Sequence, residues 1–245
     1  MPLLLSALLQ EAGFAHAFPE VGIGDAELVA AVLADRIVQV KQMHGAETVL
    51  GSAAAGAEAD AIVARAPTSL VSPGAAAGVR VADCVPILLG DEASGSVAAI
   101  HAGWRGVVAG VVRAGVVRLV GPMGGAAVAG APADQFGRAV AGSIVAAVGP
   151  CIGACCFEVG VDVADSIDRA CGGIAGVVVR RDGAKAFVDL RAAVRAQLAA
   201  LGVSPARIDD VGGCTKHEPI RFHSFRRDGP SSGRMLAAIA ARSYG

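Results

Sequence analysis

Charge is scarce in this chain. Only 18% of its 245 residues are Asp, Glu, Lys or Arg, and 21 basic against 22 acidic side chains leave a net charge of −1. That balance removes the electrostatic reason to expect nucleic acid or an anionic membrane as partner. Aromatics are thinner still, at 4%, with one Trp and one Tyr, which argues against an aromatic-rich β-sandwich. Six cysteines are too few for a disulfide scaffold of this length. They read as reduced thiols, and the protein as cytoplasmic. Leu3–Leu9 is apolar, but no basic residue precedes it and Glu11 follows at once, unlike a secretory leader. Ala139–Phe157 carries no charge and is long enough to span a bilayer. Gly149-Pro150 and Gly153 interrupt it, so a buried strand followed by a loop is expected there instead.

What the chain has in quantity is small and apolar: 54% hydrophobic residues and 33 glycines. Strand-length apolar runs occur at Asp35–Lys41, Ala59–Ala64, Val85–Leu89, Val97–Ile100, Ile144–Val148 and Gly176–Arg180. Their unbroken apolar character predicts strands covered on both faces. Between them, Val107–Val120 is a helical candidate rich in β-branched residues. A clearer helix starts at Asp189, a good N-cap, repeats Leu190, Val194, Leu198 and Leu201, and stops at Gly202. Met235–Arg242 is expected to form a last short helix. Gly51–Ala59 and Gly121–Ala133 read as surface loops or loosely specified helices. Strands and helices mixed in this way predict an α/β or α+β layered fold.

The polar residues that carry chemistry are few and stand at the ends of apolar runs. His44 lies in Gln42-Met43-His44-Gly45, Cys84 in Ala82-Asp83-Cys84-Val85-Pro86, and His101 in His101-Ala102-Gly103-Trp104-Arg105-Gly106. A strand end opening on a glycine turn is where α/β proteins place ligand-binding groups. Two imidazoles and one thiolate suffice for three of the four positions of a catalytic zinc site. Each residue also has a plain structural reading, a satisfied core histidine or a small buried thiol. Asp83 is a candidate to orient a neighbouring imidazole. Arg105, Arg226, Arg227 and Arg234 are the cations suited to phosphate or carboxylate, with Phe222 and Phe225 able to stack on a planar base or simply to pack. Gly149–Gly160 is a rigid loop ending in Phe157 and Glu158, the latter a candidate for holding a substrate amine or hydroxyl. Its Cys151 and Cys155 are expected to be packing residues, because no paired cysteine set completes a structural zinc site.

Taken in order, Gln42-x-His44-Gly45, Ala82-Asp83-Cys84-x-Pro86, His101-Ala-Gly-Trp-Arg-Gly106, Gly149-Pro150-x-Ile152-Gly153, Phe157-Glu158-Val159-Gly160 and Arg226-Arg227-Asp228-Gly229 resemble the bacterial laccase-domain proteins. That family was long called multicopper polyphenol oxidases and is better regarded as zinc-containing purine nucleoside phosphorylases with adenosine deaminase side activity. The resemblance implies a single domain over residues 1–245, a layered sandwich of mixed β-sheets flanked by helices, and zinc (or alternatively copper) held by His44, Cys84 and His101. It implies adenosine, inosine, guanosine or methylthioadenosine with phosphate as substrates, and a monomer or small homo-oligomer. The chain departs from the family at the Gly229–Arg234 turn, one residue longer than usual, and at His223, where the family mostly has an aromatic.

Two other chemistries compete. A copper oxidase acting on phenols needs a trinuclear cluster fed by many imidazoles, and the five histidines here do not fill that inventory. A cysteine hydrolase, including one that edits peptidoglycan precursors, would use Cys84 as nucleophile, His101 as base and Asp83 as orienter.

Overall fold

In the computed structural model, residues 3–67, 75–121 and 142–242 are described. Four of the six predicted apolar runs, Ala59–Ala64, Val85–Leu89, Val97–Ile100 and Ile144–Val148, form the middle of a six-stranded mixed sheet. Of the other two, Asp35–Lys41 contributes only the half-buried edge strand Ile37–Val38 of another sheet, and Gly176–Arg180 overlaps the largely exposed strand Val178–Asp182 of a third, so neither is covered on both faces. The strands of the six-stranded sheet are β4 (Thr48–Leu50), β5 (Ala61–Ala64), β7 (Val85–Asp91), β8 (Val97–Ala102), β9 (Ile144–Val148) and β13 (Ile208–Asp210), in the order β13-β9-β7-β8-β5-β4. The four central strands are buried along their whole length, as continuous apolar sequence requires when both faces are covered.

Alternation along these strands divides the core in two. Ala61, Val63, Ile87, Leu89 and Ile100 face a helical layer made by α3 (Trp104–Ala109), α4 (Val111–Val120), α5 (Val161–Ala170) and α6 (Leu190–Ala200). Ile62, Leu88, Ala99, Val145 and Ala147 face a second mixed sheet. That sheet contains β1 (Leu3–Leu4), β2 (His16–Pro19), β3 (Ile37–Val38), β6 (Ala76–Val81) and β14 (Met235–Ala240), in the order β1-β2-β14-β6-β3. Phe14 and Phe18 fill the space between the sheets. On the outer face of the second sheet lies α2 (Asp25–Ala31), which buries Leu28 against Ala17, Leu236 and Ala238. A small antiparallel sheet, β10 (Glu158–Gly160), β12 (Lys185–Val188) and β11 (Val178–Asp182), flanks α5, and α1 (Ala7–Glu11) and the one-turn α7 (Phe225–Asp228) complete the helices among the described residues. The layered mixed-sheet α/β architecture is the one expected.

Two further local expectations need correction. Met235–Ala240 is a strand, not a helix: every residue is buried, and it pairs antiparallel with β6 on one side and β2 on the other. Leu-Ala-Ala-Ile-Ala has good helix formers, but two flanking strands satisfy its backbone and bury both faces, which outweighs a propensity of a few tenths of a kcal/mol per residue, roughly. The Val107–Val120 segment is helical but broken, because Gly110 adopts φ 85° and caps α3 before α4 begins. The helix after Asp189 behaves as its sequence says, with the Asp189 carboxylate accepting from the Ala192 amide at 2.9 Å. Of the two small-residue stretches, residues 122–133 lie outside the described residues, whereas Gly51–Ala53 is a single 3₁₀ turn.

Leu88 is wholly buried between the two sheets. Leu88→Ala is expected to destabilise the chain by about 2–5 kcal/mol through lost burial plus the cavity left behind. Urea unfolding followed by circular dichroism measures this as a lowered midpoint.

Candidate functional site

The site assembles where the ends of β6, β7 and β8 meet the loop after β3. Its organiser is Asp60, fully buried at the entrance to β5. One carboxylate oxygen accepts the His44 amide at 2.9 Å and His101 Nδ1 at 2.8 Å; the other accepts the amides of Gly45 at 2.7 Å and Met43 at 3.2 Å. Four N–H groups on one carboxylate offset the cost of burying its charge. Burial pushes the Asp60 carboxyl up, but the His101 bond and the amides of Gly45 and His44 outweigh it and hold it below its usual range. The same bonds keep His44 in a left-handed conformation, φ 63°, which a non-glycine residue adopts only when its surroundings demand it. Gln42 stitches this loop to β6 by a reciprocal pair of 2.8 Å bonds with the Arg80 backbone.

His101 is the penultimate residue of β8, opposite Pro86, and Cys84 sits in the turn between β6 and β7. The His44 and His101 rings are 4.8 Å apart, edge to face. Ligating atoms of His44, Cys84 and His101 all lie within 4.8 Å of one another. Asp60 takes Nδ1 of His101, so its Nε2 is left for the cluster, the carboxylate–histidine arrangement that backs metal ligands. Burial pushes the Cys84 thiol up, but hydrogen bonds to His101 and His44 pull it down to about 7. Burial lowers His101, yet Asp60 and the Cys84 sulfur raise it to about 9. The environment therefore favours a thiolate, the ligating form of cysteine. Gly103 is required for space: a Cβ there would lie 3.0 Å from Cys84 Sγ and 3.1 Å from His44 Cδ2. The nitrogen and sulfur donors fit a divalent transition metal.

The three residues line a cavity of about 640 Å³ together with Arg80, Arg105, Arg226, Arg234, Phe157 and Phe225. Residues 25–242 match the family model described as multi-copper polyphenol oxidoreductase laccase. The chain belongs to this laccase-like family. It is 41% identical over 163 residues, 66% of its length, to a protein named adenosine deaminase RL5 from an unknown prokaryotic organism. It is 34% identical over 181 residues, 74% of its length, to a protein named purine nucleoside phosphorylase from Bacteroides thetaiotaomicron. The matches span 56% and 60% of those two relatives, less than two thirds of either. The crystal structure of a Neisseria meningitidis protein superposes with a TM-score of 0.69 at 30% identity, over 88% of this chain and 78% of that one.

In this laccase-like protein the remaining candidates separate. Arg105 stacks on Trp104, 4.6 Å from the ring centroid, and has no hydrogen bond or ion pair among the described residues. Arg226 lies 5.4 Å over Phe157 and donates to the Glu158 carbonyl at 2.8 Å. Arg234 lies 5.6 Å over Phe225 and donates to the carbonyls of Ser232 and Gly233. Arg227 points elsewhere, donating to the carbonyls of Thr215, Lys216 and Phe222; it latches a loop and does not line the cavity. The Glu158 carboxylate also faces away, toward Lys185 at 3.6 Å, and only its carbonyl serves the site.

Asp83 is a correction. Its carboxylate accepts the Thr215 hydroxyl and the Arg226 amide, both at 2.6 Å, and the imidazole is oriented by Asp60 instead. A lone acid directly before the apolar run Ala61-Ile62-Val63 was the signal for it. Asp60→Asn is expected to weaken metal binding by about 10–100-fold, the usual effect of losing a carboxylate behind a ligating histidine. Titration against a chromogenic chelator measures the change, with circular dichroism confirming the fold.

Proposed function

We propose that this chain is a zinc-dependent purine nucleoside phosphorylase that also deaminates adenosine. The observation that carries the reading is the convergence of His44, Cys84 and His101 in one cavity with arginines and aromatic rings. Its volume suits a nucleoside, since small-molecule pockets run from about 300 to 1,000 Å³. The printed names of the two relatives, an adenosine deaminase and a purine nucleoside phosphorylase, support it too.

Phosphorolysis forms a bond from phosphate oxygen to the ribose anomeric carbon and breaks the bond from that carbon to the purine nitrogen. It needs a cation to hold phosphate and a surface to hold the base. Arg105 is the cation for phosphate, because its guanidinium meets no protein acceptor among the described residues, whereas Arg226 and Arg234 are tethered by carbonyls. Those two back the faces of Phe157 and Phe225, giving flat cation-supported platforms for a purine. In deamination, water adds at the ring carbon bearing the amine and ammonia leaves. Zinc, when bound by His44, Cys84 and His101, supplies a Lewis acid with a position left open. Asp60 holds His101 in register, and Gly103 keeps the space between the ligands clear.

One arrangement also favours a second reading. Cys84, His101 and Asp60 form a thiol–imidazole–carboxylate series, the constellation of a cysteine hydrolase, with Asp60 in the orienting role. Full activity after chelator treatment, abolished by alkylating Cys84, would select it. A phenol-oxidising laccase is less well supplied: His16 is buried and bonded to the Ser6 amide and the Phe14 carbonyl, so it is not available to a copper cluster.

Zinc-loaded protein incubated with adenosine and phosphate is expected to release adenine, ribose phosphate and inosine, resolved by chromatography. Absence of all three after prolonged incubation rejects the proposal. Cys84→Ser is expected to lower kcat for both reactions by at least about 100-fold. Arg105→Ala is expected to raise KM for phosphate by about 10-fold, or about 1.4 kcal/mol, while adenosine deamination is unchanged.

A further inference from the structure

A second cluster of metal-binding side chains lies outside the cavity. Cys155 and Cys156 close the loop after β9, and Cys214 and His217 stand on the segment after β13. Tertiary structure joins these loops. Cys151 and Cys214 form a parallel bridge, and the Thr215 amide donates to the Cys151 carbonyl at 3.1 Å. The separations are 3.6 Å for Cys155 Sγ to Cys156 Sγ, 3.9 Å for Cys155 Sγ to Cys214 Sγ, and 3.4 Å for Cys155 Sγ to His217 Nδ1. All four donor atoms lie within 4.8 Å of one another.

These three distances, half the edges of a four-donor set, match a known polyhedron. A tetrahedral zinc ion with sulfur at about 2.3 Å and nitrogen at about 2.05 Å has sulfur–sulfur edges of about 3.8 Å and sulfur–nitrogen edges of about 3.6 Å. A disulfide would need about 2.05 Å. The setting suits the ion in two further ways. The Gly153 amide donates to Cys214 Sγ at 3.3 Å, a contact that favours thiolate. A Cβ at Gly153 would sit 3.3 Å from both Cys155 Sγ and Cys214 Sγ, so glycine keeps the approach to the sulfurs open. Expecting Cys155 to be a packing residue was therefore wrong: it is exposed, and its partners come from 59 and 62 residues away. Cys151, by contrast, is wholly buried as expected.

We propose that Cys155, Cys156, Cys214 and His217 form a second, structural zinc site of the Cys₃His type. With four protein ligands it has no open position, so its task is to clamp the two loops rather than to bind substrate. Both loops reach the cavity. Phe157, which lines it, follows Cys156 directly, and Thr215, which follows Cys214, holds Asp83 beside Cys84. The clamp thus fixes one wall of the cavity from behind, whatever reaction occurs there.

The test counts zinc in untagged, reduced protein by mass spectrometry after dialysis against zinc and then buffer. The intact chain is expected to hold two ions and Cys84→Ser one. The double variant Cys155→Ser/His217→Ala alters exposed residues and is expected to stay folded by circular dichroism while losing one ion. Cobalt added to Cys84→Ser is expected to give the intense visible bands of a tetrahedral thiolate site, absent when Cys155→Ser/His217→Ala is added. No zinc in Cys84→Ser, or an unchanged count in the double variant, overturns the proposal. So does an intact mass showing two of Cys155, Cys156 and Cys214 joined by a disulfide in the reduced preparation.

Discussion

A carboxylate shut away from water holds the candidate site together. Asp60 accepts three consecutive backbone amides, those of Met43, His44 and Gly45, and one imidazole nitrogen. Hydrogen bonds to a charged group contribute roughly 1.5–3 kcal/mol each, so the set is strong enough to force His44 into a left-handed backbone and to set which nitrogen of His101 faces the cluster. Without that anchor two of the three ligands would be free to turn. The third, Cys84, is placed by a different means: Asp83, itself at φ 91°, is tied to Thr215 and to the Arg226 amide.

The layers of the fold serve this geometry by making its supports immobile. Asp60 directly precedes β5, His101 lies one residue from the end of β8, and Cys84 lies in the turn between β6 and β7. Two of the three ligands are thus held at the ends of strands whose interiors are packed on both faces, and Asp60 ties the third, His44, to them. A site on strand ends is held more tightly than one on loops alone. The loop after β3 is tied to that frame by its amides on the Asp60 carboxylate, and the Arg226–Arg234 turn by the Arg226 amide on Asp83 and the Arg226 guanidinium on the Glu158 carbonyl. No helix among the described residues is long and apolar enough to cross a membrane, which agrees with a buried strand in the uncharged stretch ending at Phe157.

Legibility in the sequence followed range. The central strands could be read because an apolar run has one comfortable place, and α6 because Asp189 and Gly202 punctuate it locally. β14 could not, since Leu-Ala-Ala-Ile-Ala suits a helix until two strands claim it from either side. Glycine-flanked histidines and a thiol announced the metal-binding group, but the carboxylate behind it did not: Asp83 is adjacent in sequence to Cys84, and Asp60 is adjacent in space to both histidines. The second cluster was hidden for the same reason, since the Cys155-Cys156 pair is incomplete until residues some sixty positions later fold against it.

Residue types and local order by themselves determined a layered α/β chain with a sparse set of donors at strand ends, because burial of apolar runs and turning at glycine are short-range demands. Only the tertiary structure decided which donors meet, which acid orients the imidazole, which cavity arginine has no protein acceptor among the described residues and which merely latches a loop. Those choices depend on distances between segments far apart in the chain, and a carboxylate or guanidinium has the same chemistry wherever it stands until the fold gives it neighbours.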